Sequence, residues 1–321
     1  MRTAGKIVFV QGLPPEHEER VRAAAPGWEV VQGKDSAVWL PHLKDAEIVA
    51  GWNRAAAGGW LEAPSSRLAW VHAWGAGVDS FPLAKFRERG VVLTNSSGVH
   101  PYPISETVFA MMLAFTRKLH VYVRQQQARM WHHARLGAEM HGRTAGILGV
   151  GAIGAETARL AKAFGMRTYG FRRSGGRCEW IDRMCGPAEL DELLAAADYI
   201  VNALPLTAET AHRIGRPQFA RMKPTAFYVN IGRGGTTDTD ALIEALREGR
   251  IAGAGLDVFE TEPLPADSPL WSMENVILTP HSSGSTAHYD RRALEIFLAN
   301  LRAYIAGEEP GVNRVDLDLQ Y

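Results

Sequence analysis

TAGILGVGAIGAETARLAKAFGMRTYGFRRS, Thr144 to Ser174, is the stretch that decides how this chain folds. An apolar pair, Ile147-Leu148, precedes the cluster Gly149-Val150-Gly151-Ala152-Ile153-Gly154. A helical pattern without proline runs from Ala155 to Phe164, with Leu160, Ala161 and Phe164 on one face, and Gly165 ends it. Thr168 to Phe171 reads as a second strand. The stretch is one β-α-β unit with GxGxxG at the strand-to-helix turn, a spacing that is strong evidence only in this setting. Gly149 permits the tight turn, Gly151 lets a pyrophosphate approach the backbone, and Gly154 lets helix and strand pack closely. The helix start offers unpaired N–H groups and a partial positive charge to phosphates. Gly149, Gly151, Ala152, Ile153 and Gly154 are therefore the first candidate dinucleotide contacts.

Strand and helix alternate onward from this unit. Tyr199 to Asn202, Phe227 to Ile231, Ala252 to Asp257 and Val276 to Leu278 read as strands, which makes six with the first two. Helices are expected at Pro187 to Ala196, Arg216 to Met222 and Asp240 to Glu248. This alternation predicts a doubly wound parallel sheet, a Rossmann-type dinucleotide-binding domain over residues 103–289. Upstream, Lys6 to Gln11, Ala46 to Gly51, Leu68 to Trp74 and Val91 to Thr94 read as strands of a smaller α/β domain. They end in the loops Gly51-Trp52-Asn53-Arg54, Gly75-Ala76-Gly77-Val78-Asp79 and Asn95-Ser96-Ser97-Gly98. Pro103 to Lys118 is a long apolar helix, with Pro103 at its first position and burial between the domains expected. Gln125 to Gly142 reads as a polar and aromatic excursion. The last helix, Ala287 to Ala306, is long enough to return to the first domain, so the substrate domain takes residues 1–102 and 290–321. The cleft between two such domains is the expected site.

Composition narrows the partners. The 321 residues are 46% hydrophobic, with 35 basic and 35 acidic side chains. A net charge of zero implies neither nucleic acid nor a membrane surface as partner. Near the start, Ile7 to Val10 is too short for a signal peptide or a span, which reads as cytoplasmic. Cys178 and Cys185 make no zinc framework, and His132-His133 point apart on a helix, so no metal is expected.

Three strand ends of the larger domain carry chemistry: Gly232-Arg233-Gly234, Asp257 with Glu262-Pro263, and Thr279-Pro280-His281 with Gly284. The sequence resembles the D-isomer-specific 2-hydroxyacid dehydrogenases, in their glyoxylate/hydroxypyruvate reductase-like branch. The resemblance covers nearly the whole chain. It rests on Ala76-Gly77-Val78-Asp79, the glycine unit, Leu204-Pro205-Leu206-Thr207 with Thr210, and Asn230-Ile231-Gly232-Arg233-Gly234. Gly255-Leu256-Asp257-Val258-Phe259 with Glu262-Pro263 and Thr279-Pro280-His281 complete it. It implies a flavodoxin-like substrate domain, a homodimer joined through its dinucleotide domains, and dinucleotide contacts at Leu204, Pro205, Thr210, Ile231, Gly232, Asp257, His281 and Gly284.

The chemistry fits these residues on its own terms. Hydride addition to a 2-keto acid leaves an alkoxide that needs a proton, and an imidazolium is a suitable donor near neutrality. His281 takes that role. A carboxylate neighbour favours a protonated imidazole, and Glu262 supplies it. Arg233 holds the substrate carboxylate and polarises the keto oxygen through its planar fork. The backbone N–H groups of Ala76 and Gly77 cradle the same carboxylate. Trp52 and Trp74 read either as walls of the substrate pocket or as core, and Trp131 either as a contact with a second subunit or as a local filler.

Cofactor choice is read at the end of the second strand. NAD-specific members carry an Asp there. Here Arg172, Arg173 and Ser174 stand in that place, with no acidic residue from Thr168 to Cys178. Guanidinium and hydroxyl groups attract a 2′-phosphate, so NADP(H) is expected over NAD(H). The expected reaction is reduction of small 2-keto acids such as glyoxylate or hydroxypyruvate to D-2-hydroxy acids. Two alternatives share the fold: a formate dehydrogenase, which pairs Gln rather than Glu with the histidine, and a nucleotide-sensing corepressor-like binding protein.

Overall fold

A computed structural model describes the chain except residues 1, 54, 57, 59–60, 62–65, 79, 135–137 and 320–321. Arg54 and Asp79, both expected in strand-end loops, thus lie outside the described residues. The chain divides into two compact units, Met1–Val99 with Ala287–Tyr321, and His100–Thr286.

The first unit is built on five parallel strands: β1 Lys6–Phe9, β2 Glu29–Val31, β3 Ile48–Ala50, β4 Trp70–Ala73 and β5 Val92–Asn95, in the order β2-β1-β3-β4-β5. That is the flavodoxin-like order. β2 was not expected from the sequence. It has three residues, lies at the sheet edge and leaves Glu29 exposed, so no alternating pattern marks it. The helix Tyr289–Ala306 buries Leu294, Phe297, Leu298 and Leu301 in the same cluster as Ile7, Phe9, Ile48 and Trp70.

The second unit holds seven parallel strands: β6 Thr144–Leu148, β7 Arg167–Phe171, β8 Arg183–Cys185, β9 Tyr199–Asn202, β10 Phe227–Asn230, β11 Gly253–Leu256 and β12 Val276–Leu278. Their order is β12-β11-β10-β9-β6-β7-β8. The six expected strands become seven through β8, again a three-residue edge strand with two of its residues only half-buried. The order reverses between β6 and β9, which is the switch point where dinucleotides bind in such sheets.

Helix bounds differ from expectation by a few residues at several places, such as Arg216–Phe219 for Arg216 to Met222. The helix after the glycine turn starts at Ala152 rather than Ala155, which puts Gly154 inside it. The long apolar helix is Pro101–Thr116, with Pro101 rather than Pro103 first. It packs on its own unit's sheet: a Cβ on Gly255 would meet Met111 Sδ at 2.8 Å, and Gly253 faces the Phe115 ring. The glycines of β11 make room for the helix, so its apolar face is explained within this unit. Leu119–Gln127, read partly as excursion, is a further helix.

One register fact positions the site. Leu148 pairs with both Phe171 and Asn202, Asn202 with Asn230, Asn230 with Leu256, and Leu256 with Leu278. Six strands therefore end level, and the loops that follow stand side by side. At about 4.8 Å per strand, the loop after β7 and the loop after β12 are roughly 24 Å apart.

Candidate active site

The glycine turn follows β6. Gly149 has φ +94°, and a Cβ there would meet the Ala203 carbonyl oxygen at 2.8 Å and the Leu204 nitrogen at 3.2 Å. Gly154 lies against the backbone of Gly149 and leaves no room for a Cβ. Gly151 is different: a Cβ there would meet nothing within 4 Å. It caps the helix Ala152–Ala163, which has no side-chain cap. Its first N–H groups have no intrahelical partner. An open approach above unpaired amides at the end of a 12-residue helix suits a pyrophosphate.

Asparagines at two strand ends set the next loops. Asn202 Oδ1 accepts from the Leu204 amide at 3.1 Å, and Asn230 Oδ1 accepts from the Gly232 amide at 3.1 Å. Their amide groups donate into one buried network, Asn202 to the Tyr228 hydroxyl at 2.9 Å and to Thr236 Oγ1 at 2.8 Å, Asn230 to Thr237 Oγ1 at 3.1 Å. Burial pushes the Tyr228 hydroxyl up to about 12, so it remains a neutral hydrogen-bond partner. This network was not foreseen. The signal was present, in Asn as the last residue of both YIVN and FYVN.

Arg233, half-buried, follows β10. Its Nη1 donates to the Gly232 carbonyl at 2.9 Å, and its own carbonyl accepts from Thr236 Oγ1 at 2.6 Å. Gly234 lies directly on the Phe259-Glu260 peptide, where no Cβ fits. That contact holds the Arg233 loop against the loop that carries Glu262.

Glu262 and His281 meet. Glu262 Oε2 is 2.7 Å from His281 Nδ1, and Oε1 accepts from the Phe259 amide at 2.9 Å. An ionised carboxylate only accepts, so Nδ1 carries the hydrogen and Nε2 is the atom left for chemistry. The pair is part-exposed, at 49% for His281 and 35% for Glu262. His281 has φ +51°, a left-handed backbone that needs holding. Asp257 holds it. This wholly buried residue follows β11 and its carbonyl accepts from the His281 amide at 2.8 Å. Its carboxylate accepts from Thr279 Oγ1 at 2.6 Å, from the Ser282 amide at 2.9 Å, and from the Ser283 amide and hydroxyl.

The other expected residues fall as follows. Leu204 and Ile231 are buried, and the Ile231 amide continues the ladder to Asn202. The Thr210 hydroxyl donates to the Pro205 carbonyl at 2.6 Å and accepts from the Thr207 amide at 2.8 Å, so it closes its own turn. Gly284 lies against the His100 ring. Arg172, Arg173 and Ser174 are exposed after β7. No acidic residue stands near them in sequence, but one does in space: Glu209, from the loop after β9, pairs with Arg173 Nη1 at 2.9 Å. In the first unit, the Ala76 carbonyl accepts from Asn95 Nδ2 at 2.8 Å, and the Gly75 carbonyl from the Ser96 amide at 3.0 Å. Trp52 stacks on Phe81 and meets Phe86 edge-on, and Trp74 donates to Asp290 Oδ1 at 3.1 Å. Trp131 is fully exposed and fills no local gap. Among the described residues, no three His, Cys, Asp or Glu gather as a metal set, and no helix is long and apolar enough to cross a membrane.

Two parallel α/β sheets, with a glycine turn at the switch point of the larger, define a two-unit protein with a Rossmann-type dinucleotide-binding fold. Residues 109–283 match the D-isomer specific 2-hydroxyacid dehydrogenase, NAD binding domain. The glyoxylate reductase of Korarchaeum cryptofilum is 40% identical over 255 residues, 77% of this chain and 76% of that protein. Glyoxylate/hydroxypyruvate reductase B of Pectobacterium carotovorum is 40% identical over 278 residues, 84% of this chain and 85% of that one. A D-isomer specific 2-hydroxyacid dehydrogenase from Xanthobacter autotrophicus, solved with NADPH and MES, superimposes with TM-score 0.83 at 30% identity, covering 99% of each chain. The chain belongs to the D-isomer specific 2-hydroxyacid dehydrogenase family.

Proposed function

We propose that this protein reduces small 2-keto acids of the glyoxylate and hydroxypyruvate class to D-2-hydroxy acids, with NADPH preferred over NADH. The observation that carries the reading is the Glu262–His281 couple, 2.7 Å apart at the level strand ends that also bear the glycine turn. A bound nicotinamide supplies the hydride. The chain's own residues do the rest. Glu262 fixes the imidazole through Nδ1, so Nε2 delivers a proton to the forming alkoxide. Arg233 holds the substrate carboxylate and polarises the keto oxygen. Ala76 and Gly77 are assigned to the same carboxylate, and their amides donate no hydrogen bond among the described residues. Glu rather than Gln beside His281 favours this reading over the formate dehydrogenase-like one.

Cofactor preference is assigned to Arg172, Arg173 and Ser174. The Arg172 guanidinium is exposed and makes no ion pair among the described residues. Charge-assisted bonds to a 2′-phosphate, screened by solvent, give about ten- to hundred-fold in kcat/KM. The Xanthobacter relative, solved with NADPH, supports this direction. A homodimer is supported by exposed Leu119 and Val123 on one helix face, with Met130 and Trp131 beyond it. The decisive experiment follows loss of nicotinamide absorbance with glyoxylate, hydroxypyruvate and a larger keto acid, using each cofactor. Turnover with NADPH faster than with NADH is expected. No turnover with any keto acid would leave a binding protein, and equal or better NADH use would remove the 2′-phosphate assignment.

A further inference from the structure

The Arg173–Glu209 pair joins two loops that are not neighbours. Arg173 follows β7, Glu209 lies after β9, and β6 runs between those strands. The strands they follow are about 9.6 Å apart, two strand spacings, so the pair bridges the loops on either side of the one that carries the glycine turn. Its base is firm on the β9 side. Ala203 and Leu204 lie on Gly149 with no room for a Cβ, and Thr210 closes the turn around Thr207. Both side chains reach solvent, at 41% for Arg173 and 68% for Glu209. A pair this exposed contributes little to folding.

We infer that Glu209 is a cofactor-specificity residue, whose carboxylate occupies Arg173 until a 2′-phosphate takes its place. The inference rests on the reading of residues 172–174 as the 2′-phosphate site. A 2′-phosphomonoester carries about −1.5 to −2 charge near neutrality, and it meets a like charge at Glu209. Binding NADP(H) therefore exchanges one anion on Arg173 for another. NAD(H) brings no such anion, and Glu209 stays where it is. Glu209 thus selectively weakens NADP(H) binding and sets the size of the preference.

The test measures dissociation constants of NADPH, NADH and adenosine 2′-monophosphate by calorimetry on the full chain. Wild type, Glu209→Gln, Arg173→Ala and the double variant are compared. Glu209→Gln is expected to tighten NADPH and the monophosphate about three- to tenfold while NADH stays within about twofold. The gain should vanish in the Arg173→Ala background. Unchanged or weaker NADPH binding in Glu209→Gln overturns the inference, as does a gain that persists without Arg173 or that NADH shares. If Glu209→Gln has no effect but Arg173→Ala still weakens NADPH, the phosphate site stands without this role for Glu209. If neither variant changes NADPH binding, both readings fall.

Discussion

Glu262 offers one carboxylate oxygen to His281 Nδ1 at 2.7 Å and the other to the Phe259 amide at 2.9 Å. The acid is thus fixed by its own loop before it fixes the histidine. Orientation and charge can be separated by substitution. In Glu262→Gln the side-chain oxygen can still accept from Nδ1–H, but the charge is gone. We expect kcat to fall about ten- to hundred-fold with KM for the keto acid little changed. A wild-type kcat in this variant would show that the charge is irrelevant.

His281→Ala removes proton delivery and leaves the glycine turn untouched. A loss of ~10²–10⁴-fold in kcat is expected, with NADPH affinity retained. Single-turnover kinetics beside calorimetric binding would check it. Turnover at the wild-type rate would take His281 out of the reaction.

Much of the larger unit was legible, because the GxGxxG spacing and the run of strand, loop and helix are local patterns. The places of Arg233, Glu262 and His281 in loops after β10, β11 and β12 were legible from the same alternation. β2 and β8 were not, since a three-residue edge strand has too few residues to show a period. Asp257 was read as a cofactor contact. Its carboxylate also takes up the amides and hydroxyls that shape the His281 loop, a contact across 25 and 26 residues that no local pattern contains. The same limit hid Glu209, which reaches Arg173 from 36 residues away.

Arg233→Lys keeps a positive charge but loses the planar fork. KM for keto acids should rise and kcat should fall, each by about tenfold, with nucleotide affinity nearly unchanged. Steady-state kinetics with varied keto acid and varied NADPH distinguish the two. A loss confined to NADPH affinity would move Arg233 to the cofactor.

Gly234→Ala tests how the Arg233 and Glu262 loops are held together. The added Cβ would fall on the Phe259 carbonyl group, so backbone must shift. Overpacking of this kind costs about 1–3 kcal/mol. We expect a lower Tm together with a kcat/KM loss of about tenfold or more, because the two loops part. Full activity at wild-type Tm would show that the contact is dispensable.

The first unit carries a group that makes its stability depend on acid. His72 is fully buried within β4. The Ser96 hydroxyl donates to the Ala73 carbonyl at 3.3 Å and so accepts from the His72 Nε2–H at 3.2 Å. Nδ1 of the neutral ring then accepts from the Thr94 hydroxyl at 2.8 Å, whose oxygen accepts from the Trp70 indole N–H at 2.9 Å. Every hydrogen in this chain fits a neutral ring, and burial pushes its pKa down to about 3. An unfolded histidine titrates near ~6.5. Between these values the unfolded chain binds a proton that the folded chain refuses. The stability that His72 contributes is therefore whole above ~6.5 and is lost as pH falls, by up to ~1.4 kcal/mol per unit. Glutamine can accept from Thr94 and donate to Ser96 without titrating. Urea unfolding of wild type and His72→Gln, compared near pH ~7.5 and ~5.5, should show wild type losing ~1.4 kcal/mol more on acidification. An equal acid loss in both proteins would mean that the folded chain protonates His72 as readily as the unfolded one.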